Sequence, residues 1–413
     1  MIKKAAFVFF CVSIAIAGFS QMQLKQGPWR VAIHRPDTKE IVFNLRVSKE
    51  NGKDIFFVLN ASEAMRIDNI TRSGDSLFID MPVFESGFRA KIISKDSLSG
   101  NWTRASGNRF ITLPFTASAN QPYRFPATQG NAKYNLKGKW AIGFKNDYGK
   151  DQPAIGVFTQ EQNRITGSVL TPSGDDRYLE GIVSGDSVWL STFDGVHAMV
   201  YAAKIKDDRS LEGTLYSGKS GVENFTAKPS KNPVLPNTSA MYVKNGEDGY
   251  LNFSFPDVDG NPVSLSDARF KNKVVVISLM GSWCPNCMDE TAFLSDYYNK
   301  NKERGIEIIG LAYEYTTDFA RSQKSVRKFQ KRFDIQYPLL ITGVAVTDTL
   351  RTEKTLPQLT SIKAFPSSII LDKTGKMYKI DTDFQGPGTG EYYTAYIKEF
   401  EKTIDKLLKK TAD

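Results

Sequence analysis

The sequence predicts an α+β multidomain protein: two repeated antiparallel all-β units of barrel-like form, followed by an α/β domain. Three observations lead to this prediction. Short apolar runs recur at a spacing of about ten residues through the first half, that half repeats itself, and helical patterns alternate with apolar runs after residue 250. At 413 residues the chain can bury more than one core.

The first residues have the pattern of a secretory signal peptide: two lysines, a short apolar run, then small residues. We expect residues 1–20 to be removed after Ser20, which makes the protein periplasmic or otherwise exported. Cys11 lies inside the apolar run and would leave with it. An uncleaved signal acting as a membrane tether is the alternative, although the run is short for a transmembrane helix.

The first half contains an internal repeat. Gly27-Pro-Trp29 recurs as Gly138-Lys-Trp140, and the turn at 73–76 recurs at 184–187 with the same spacing and the same four residues, Ser-Gly-Asp-Ser. Proline and polar residues then mark a linker, across which we expect few contacts. The predicted units are repeat 1 over 21–120, repeat 2 over 121–227, the linker over 228–249 and the α/β domain over 250–413.

Each repeat has room for about seven or eight strands, enough to close a barrel or a sandwich. A G-x-W on the first strand is similar to lipocalin-type barrels, and Trp29 and Trp140 equally suit plugs of a core. Neither copy contains a catalytic constellation. Each copy has one histidine, His34 or His197, and the two are not at equivalent positions of the repeat. The β units therefore form either a docking, dimerisation or ligand platform or a folded spacer.

The second half is organised around Cys284 and Cys287, at the point where a buried-strand pattern turns into a helical one. Pro285 suits the first turn of a helix because it has no N–H to leave unpaired. A thiol at a helix N-terminus faces unpaired N–H donors and the positive end of the helix dipole, and both favour thiolate. We therefore expect Cys284 to be a nucleophile and Cys287 to resolve the mixed disulfide.

A CxxC pair can also be half of a zinc site or an inert structural disulfide. A zinc site needs two further ligands, but His34 and His197 are both far from the pair in the sequence. Placement on a βα turn favours redox chemistry over both alternatives. No metal, flavin or nucleotide cofactor is implied.

Beyond the linker the order of predicted elements is a hairpin, then βαβα, a second hairpin and a closing amphipathic helix over 391–410. This is the order of a thioredoxin fold. The segments involved resemble the TlpA-like thiol–disulfide oxidoreductases over about residues 250–413, on the motifs FPDVDGNPVSLSD, VVVISLMGSWCPNC, IEIIGLAYE, YPLL, AFPSSIILDKTGK and DTDFQGPGTGEYY.

The resemblance implies an enzyme that reduces protein or small-molecule disulfides and is itself reduced by a dithiol donor embedded in the membrane. It implies a cis bond between Phe365 and Pro366, facing Cys284 and Cys287 and holding an extended substrate. Trp283 would flank the exposed sulfur. The net charge is +9, but the sequence contains no basic cluster with interleaved aromatic residues, so nucleic acid is not an expected partner.

Some positions depart from the thioredoxin pattern. Thioredoxin has a buried carboxylate six residues before the first cysteine, where this chain has Ser278. Some TlpA-like reductases instead place a glutamate three residues after the second cysteine, and Glu290 matches it, on the same helix face as Cys287. Glu290 is thus either an acid/base for Cys287 or a solvated glutamate that stabilises the helix dipole. The segment Glu314–Leu359 is longer than thioredoxin needs, and either shapes the substrate groove or caps the sheet.

Two alternative functions remain open at this point. A thiol peroxidase would use Cys284 to attack a hydroperoxide, but Gly281 stands where such enzymes usually carry threonine. Alternatively, the β units bind or assemble and the α/β domain is accessory. A ligand cavity inside either β unit would support this second alternative, and packed interiors would weaken it.

Overall fold

The computed structural model describes residues 22–145 and 151–410. The predicted signal peptide, with Cys11, lies outside these described residues. Across the two described ranges, no helix is both long enough and apolar enough to span a membrane.

The first β unit is a nine-stranded antiparallel sheet in the order β4-β3-β2-β1-β9-β8-β7-β6-β5. Its first strand pairs with both the second and the last, so the sheet curls into a nearly closed barrel. The strands are β1 (Gly27–His34), β2 (Glu40–Glu50), β3 (Lys53–Asn60), β4 (Glu63–Ile67), β5 (Ile70–Ser73), β6 (Ser76–Asp80), β7 (Ser86–Ser94), β8 (Ser97–Ser106) and β9 (Arg109–Ala119).

The second β unit repeats this arrangement and is closed by pairing of its second and third strands. Its strands are β10 (Gly138–Lys145), β11 (Asp151–Glu161), β12 (Arg164–Thr171), β13 (Gly174–Asp175), β14 (Leu179–Ser184), β15 (Ser187–Phe193), β16 (Ala198–Ile205), β17 (Leu211–Ser217) and β18 (Gly221–Pro229). Within the described residues each unit thus has nine strands, more than expected, because short strands such as β13 cannot be told from turns by apolar spacing.

The tryptophans of the repeated G-x-W motif show that the repeat is structural. The indole N–H of Trp29 donates to the carbonyl of Lys25 at 2.8 Å, and that of Trp140 donates to the carbonyl of Leu136 at 2.9 Å. Both bonds reach four residues back along the chain. Each ring is buried within the core of its own barrel.

The barrel interiors are packed with side chains. Inside the first barrel, a void of only about 10 Å³ remains between residues such as Val31, Phe56 and Phe115, about the minimum that one water molecule needs. Trp140, Phe144 and other apolar side chains fill the second barrel. These packed interiors weaken the alternative in which the β units are ligand carriers.

The α/β part is a five-stranded sheet in the order β23-β22-β21-β24-β25, preceded by a small hairpin. The elements are β19 (Ser254–Pro256), β20 (Pro262–Ser264), β21 (Val274–Met280), α1 (Pro285–Asn301), β22 (Ile306–Ala312), α2 (Phe319–Arg332), β23 (Leu339–Ile341), α3 (Arg351–Thr355), β24 (Ser367–Leu371), β25 (Met377–Asp381) and α4 (Glu391–Lys409). The strands β21, β22 and β23 run parallel, and β24 pairs antiparallel to β21. The predicted thioredoxin-like fold is confirmed.

The chemistry of the sequence accounts for the central elements of this sheet. All seven residues of β21 are buried, as expected for an apolar run covered on both faces. The buried residues of α4 (Phe400, Thr403, Ile404 and Leu407) recur with helical spacing, so one stripe of this helix faces the sheet.

Contacts between the three units are more extensive than the linker prediction implies. Strand β18 continues past residue 227 to Pro229. Within the predicted linker 228–249, Ser239 donates its hydroxyl to the carbonyl of Pro172 in the second barrel at 2.8 Å. Arg321 on α2 binds Glu85 of the first barrel at 2.9 Å. Contrary to expectation, the α/β part is therefore held against both barrels.

Candidate redox site

The two cysteines lie at the junction of β21 and α1. Cys284 is the N-cap residue of α1, and Pro285 occupies the first helical turn. The backbone N–H of Cys287 points at Sγ of Cys284 at 3.1 Å, and the two cysteines form a disulfide with their Cα atoms 5.2 Å apart. After reduction, this N–H donor and the helix dipole would stabilise a thiolate on Cys284.

Aromatic residues and a cis peptide bond surround the sulfur. The bond between Phe365 and Pro366 is cis, and the carbonyl oxygen of Phe365 lies 3.4 Å from Sγ of Cys284. The ring of Trp283 stacks on Tyr315 with 5.3 Å between centroids and meets the ring of Phe365 edge-on at 5.8 Å. The structure therefore brings Trp283, Phe365 and Pro366 to one side of the cysteine pair.

Glu290 is buried beneath this site, with an exposed fraction of 1%. Its carboxylate accepts hydrogen bonds from the hydroxyls of Ser278 at 2.7 Å, Ser368 at 2.8 Å and Tyr396 at 3.3 Å. Burial raises the pKa of Glu290. Such burial is not that of a solvated glutamate, although among the described hydrogen bonds none joins this carboxylate to Cys287.

The contact between Ser278 and Glu290 explains how this site departs from thioredoxin. The strand position that carries a carboxylate in thioredoxin carries a serine here, and that serine donates to a carboxylate supplied by α1. A buried acidic group is thus retained close to the same place in the fold. The sequence indicated both residues but not that they bind one another.

Glu314 is a second buried carboxylate, at the start of the segment that is longer than thioredoxin needs. It accepts the backbone N–H of Ser282 at 2.8 Å and the hydroxyl of Ser282 at 2.6 Å. Burial raises the pKa of Glu314 to about 7. Next to it, the carbonyl of Tyr313 accepts the indole N–H of Trp283 at 2.7 Å. The end of β22 therefore anchors the turn that leads into Cys284.

A signal for Glu314 was present in the sequence. It follows directly on the apolar run of β22, and the carboxyl ends of neighbouring parallel strands meet at the same edge of a sheet. Since β21 delivers the cysteines to that edge, a polar residue just after β22 is a candidate neighbour of the site.

Arg177, from the second barrel, lies against α1 in a cluster of buried charges. Its guanidinium binds both carboxylate oxygens of Asp289, each at 2.8 Å. It also binds Glu63 of the first barrel at 2.6 Å and Asp194 of the second at 3.4 Å. Burial alone would lower the pKa of Arg177, but the surrounding carboxylates raise it well above its usual value. No sequence pattern indicated this cluster, because its members come from distant parts of the chain.

Asn286, between the two cysteines, is also in contact with the second barrel. Its side-chain amide donates to the carbonyl of Asp175 at 3.0 Å, and its side-chain oxygen accepts the N–H of Asp175 at 3.3 Å. The carboxylate of Asp175 in turn accepts the N–H of Gly386, in the loop before α4, at 2.7 Å. Burial raises the pKa of Asp175 to about 6.

A CxxC pair at the N-terminus of a helix, beside a cis-proline in a sheet of this order, defines a thioredoxin-like thiol–disulfide oxidoreductase. Comparison with known proteins agrees with this class. Residues 248–380 match the AhpC/TSA family, so the match lies wholly beyond the two barrels.

The chain is 31% identical over 148 residues to the thiol–disulfide oxidoreductase ResA of Bacillus thuringiensis subsp. konkukian (strain 97-27), covering 36% of this chain and 74% of that protein. ResA of Bacillus subtilis (strain 168) is 24% identical over 140 residues, which cover 34% of this chain and 68% of the relative. Among solved structures, a thiol–disulfide oxidoreductase from Bacteroides fragilis NCTC 9343 is similar at 21% identity and a TM-score of 0.27, covering 36% of this chain and 96% of that one. The chain belongs to the ResA family of thiol–disulfide oxidoreductases.

Proposed function

We propose that this oxidoreductase is exported and works as a reductase of client disulfides, with Cys284 as the attacking residue. The observation that carries the proposal is the position of Cys284 as N-cap of α1, with the N–H of Cys287 directed at its sulfur. That arrangement favours a thiolate on Cys284 rather than on Cys287.

The proposed reaction has two exchange steps. The Cys284 thiolate attacks one sulfur of the client disulfide, the client S–S bond breaks, and the released client sulfur takes up a proton. Cys287 then loses its proton and attacks Sγ of Cys284, which releases the second client thiol and leaves the Cys284–Cys287 disulfide. Two electrons have passed to the client, and a dithiol donor must return two electrons to the pair.

The residues around the sulfur suit a disulfide-bearing peptide. Backbone groups at Phe365 and Pro366 lie beside Cys284, where an extended client segment can form hydrogen bonds. Trp283 and Phe365 provide aromatic surface on the same side. Glu290 is the proposed base for Cys287, supported by its burial, its raised pKa and its place one helical turn further along α1.

A disulfide is favoured over a hydroperoxide as substrate by the surroundings of Gly281. A Cβ atom added at Gly281 would collide with the indole ring of Trp283. The threonine that thiol peroxidases usually carry at this position therefore cannot be accommodated unless Trp283 moves. The closeness of Cys287 to Sγ of Cys284, by contrast, supports a resolving role for Cys287 in disulfide exchange.

The proposed location and electron donor follow from the same chemistry. The N-terminal pattern of lysines, apolar run and small residues supports export. A reductase in an oxidising compartment needs electrons from outside that compartment, so we infer a membrane-embedded dithiol carrier as the donor.

The proposed function is tested by trapping. Cys287→Ser should accumulate mixed disulfides between Cys284 and a disulfide-containing peptide, because the resolving step is missing. Cys284→Ser should accumulate few. Equal trapping by both variants, or none by either, would contradict Cys284 as the attacking residue.

A further inference from the structure

We propose that segment 172–178 of the second barrel, here called the cover segment, controls which disulfides reach the cysteine pair. In the closed arrangement Cys284 is 3% exposed and Cys287 is 0% exposed. The cover segment packs against Asn286, between the two cysteines, and we infer that a disulfide of another protein reaches Cys284 only after this segment separates from α1. The proposal rests on the proposed function, since it concerns access to the same sulfur.

The first contact of the cover segment lies on the CxxC motif itself. Asp175 presents its backbone N–H and its carbonyl to the side-chain amide of Asn286, which is the last residue before Cys287. The approach is close, because a Cβ atom added at Gly174 would collide with the side-chain oxygen of Asn286. A client backbone approaching the motif along α1 would need the space that β13 fills.

The second contact is the ion pair between Arg177 and Asp289. The guanidinium meets the carboxylate through two parallel N–H bonds of 2.8 Å, which is the strongest geometry for this pair. Arg177 and Asp194 both belong to the second barrel, and their contact remains when α1 moves away. Opening thus exposes Asp289 to water while Arg177 keeps a carboxylate partner, so the open arrangement leaves no unpaired buried charge at Arg177.

The third contact lies on the far side of the cover segment. The carboxylate of Asp175 accepts the N–H of Gly386, and a Cβ atom added at Gly388 would collide with the carbonyl of Arg177. The cover segment is therefore held between α1 and the loop that precedes α4. Three separate groups of the α/β part fix it, and one of them, Asn286, lies between the two cysteines, so the cover segment leaves the motif only when these contacts break.

The test is the alkylation rate of Cys284 in the reduced, full mature chain, followed by mass spectrometry with iodoacetamide and with a bulky polyethylene-glycol maleimide. The N-cap position favours thiolate, so an uncovered Cys284 would react faster in the folded protein than in the unfolded one. If the cover is closed, the folded protein should instead react at least about 100-fold more slowly than the protein in urea, and more slowly still with the bulky reagent.

Variants then locate the cause of the protection. Arg177→Met should raise the alkylation rate by about tenfold or more, because it removes the fork that holds Asp289. Arg177→Lys, which keeps the charge but not the paired geometry, should give a smaller rise. The matched control is Lys139→Met, which removes a cation that joins the same barrel to α4 through an exposed pair with Glu391 at 2.6 Å. It should leave the rate unchanged.

Two outcomes would overturn the proposal. One is a folded wild type in which Cys284 reacts as fast as in urea; this result stands even if Arg177→Met fails to fold. The other is a folded Arg177→Met or Arg177→Lys with unaltered protection. If the protein reduces disulfides but Cys284 is freely alkylated, the role of the cover segment is rejected and the proposed function is kept. A protected protein that never reduces a disulfide after the cover is released would lose the proposed function instead.

Discussion

Arg66 in the first barrel and Arg177 in the second occupy equivalent positions of the repeat, yet their surroundings differ completely. Strands β3 and β12 correspond, and the pairing of Asn60 with Glu63 in the first barrel is matched by that of Thr171 with Gly174 in the second. In the first barrel the strand that follows, β4, runs from Glu63 to Ile67 and includes Arg66. In the second barrel the corresponding strand, β13, ends after two residues, and the chain turns away towards α1.

The consequence for the two arginines is a difference in burial. The side chain of Arg66 is 33% exposed and pairs with Glu50 and Asp68 on the surface. The side chain of Arg177 is 2% exposed and pairs with Asp289 of α1, the helix that carries the cysteine pair. The same residue in the same repeat position is thus a surface cation in one copy and a contact with α1 in the other. What packs against the residue, not the residue type, determines its role.

The largest expected difference between a buried and an exposed charge is on α1, in the decay rate of the mixed disulfide. If Glu290 is the base for Cys287, as proposed, Glu290→Gln should slow the decay of the mixed disulfide by a factor of about 10²–10⁴. The matched change is Asp296→Asn, on the same helix, where the carboxylate is exposed and pairs with Lys300; it should leave the rate unaltered. Stopped-flow measurement from about pH 5 to 9 checks both.

The pH profile separates this role of Glu290 from a structural one. In the wild type the resolving step should accelerate as pH rises through the raised pKa of Glu290, since only the ionised form accepts a proton. Glu290→Gln should lack that rise. A variant with the wild-type rate and profile would leave water as the proton acceptor.

The second prediction compares the two arginines directly. Arg177→Met leaves the buried carboxylate of Asp289 and the partly buried carboxylate of Glu63 without their cation and should lower the free energy of unfolding by about 3–5 kcal/mol. Arg66→Met removes only exposed pairs and should leave the urea midpoint unchanged. Comparable losses for both variants would show that the cluster around Arg177 has no special energetic role.

The third prediction concerns Glu314, whose pKa of about 7 lies above its ordinary value of 4.5. A raised pKa means that the folded state prefers the protonated form, so stability declines as pH rises from about 4.5 through 7. Glu314→Gln should remove this decline and be the more stable protein at pH 8, by at most about 3 kcal/mol, with no difference near pH 4. The exposed Glu303→Gln serves as control. Parallel stability curves for wild type and Glu314→Gln would contradict the raised pKa.

The sequence predicted those parts of the molecule that rest on local patterns. Alternating apolar runs and helical stripes gave the thioredoxin-like order, Pro285 marked the start of α1, and the G-x-W repeat gave two β units with Trp29 and Trp140 in their cores. Each of these follows from residues that lie close together along the chain.

The remaining features depend on partners that lie far apart in sequence. Arg177 and Asp289 are 112 residues apart, and periodicity reports only that a face is buried, not what covers it. The difference in length between β4 and β13 is equally invisible in the sequence. Both segments begin at the same position of the repeat, so the repeat predicts the same strand in both copies. Ser282 and Glu314 meet only because β21 and β22 are neighbours in the sheet.

The redox potential of the Cys284–Cys287 pair tests the central claim most directly. Equilibration of residues 21–413 in glutathione buffers, followed by quantification of the free thiols, gives this value. A reductase requires a reducing pair, so the potential should lie below about −200 mV, on the side of thioredoxin at about −270 mV. A value near −120 mV, that of a strong disulfide-forming oxidant, would contradict the assignment.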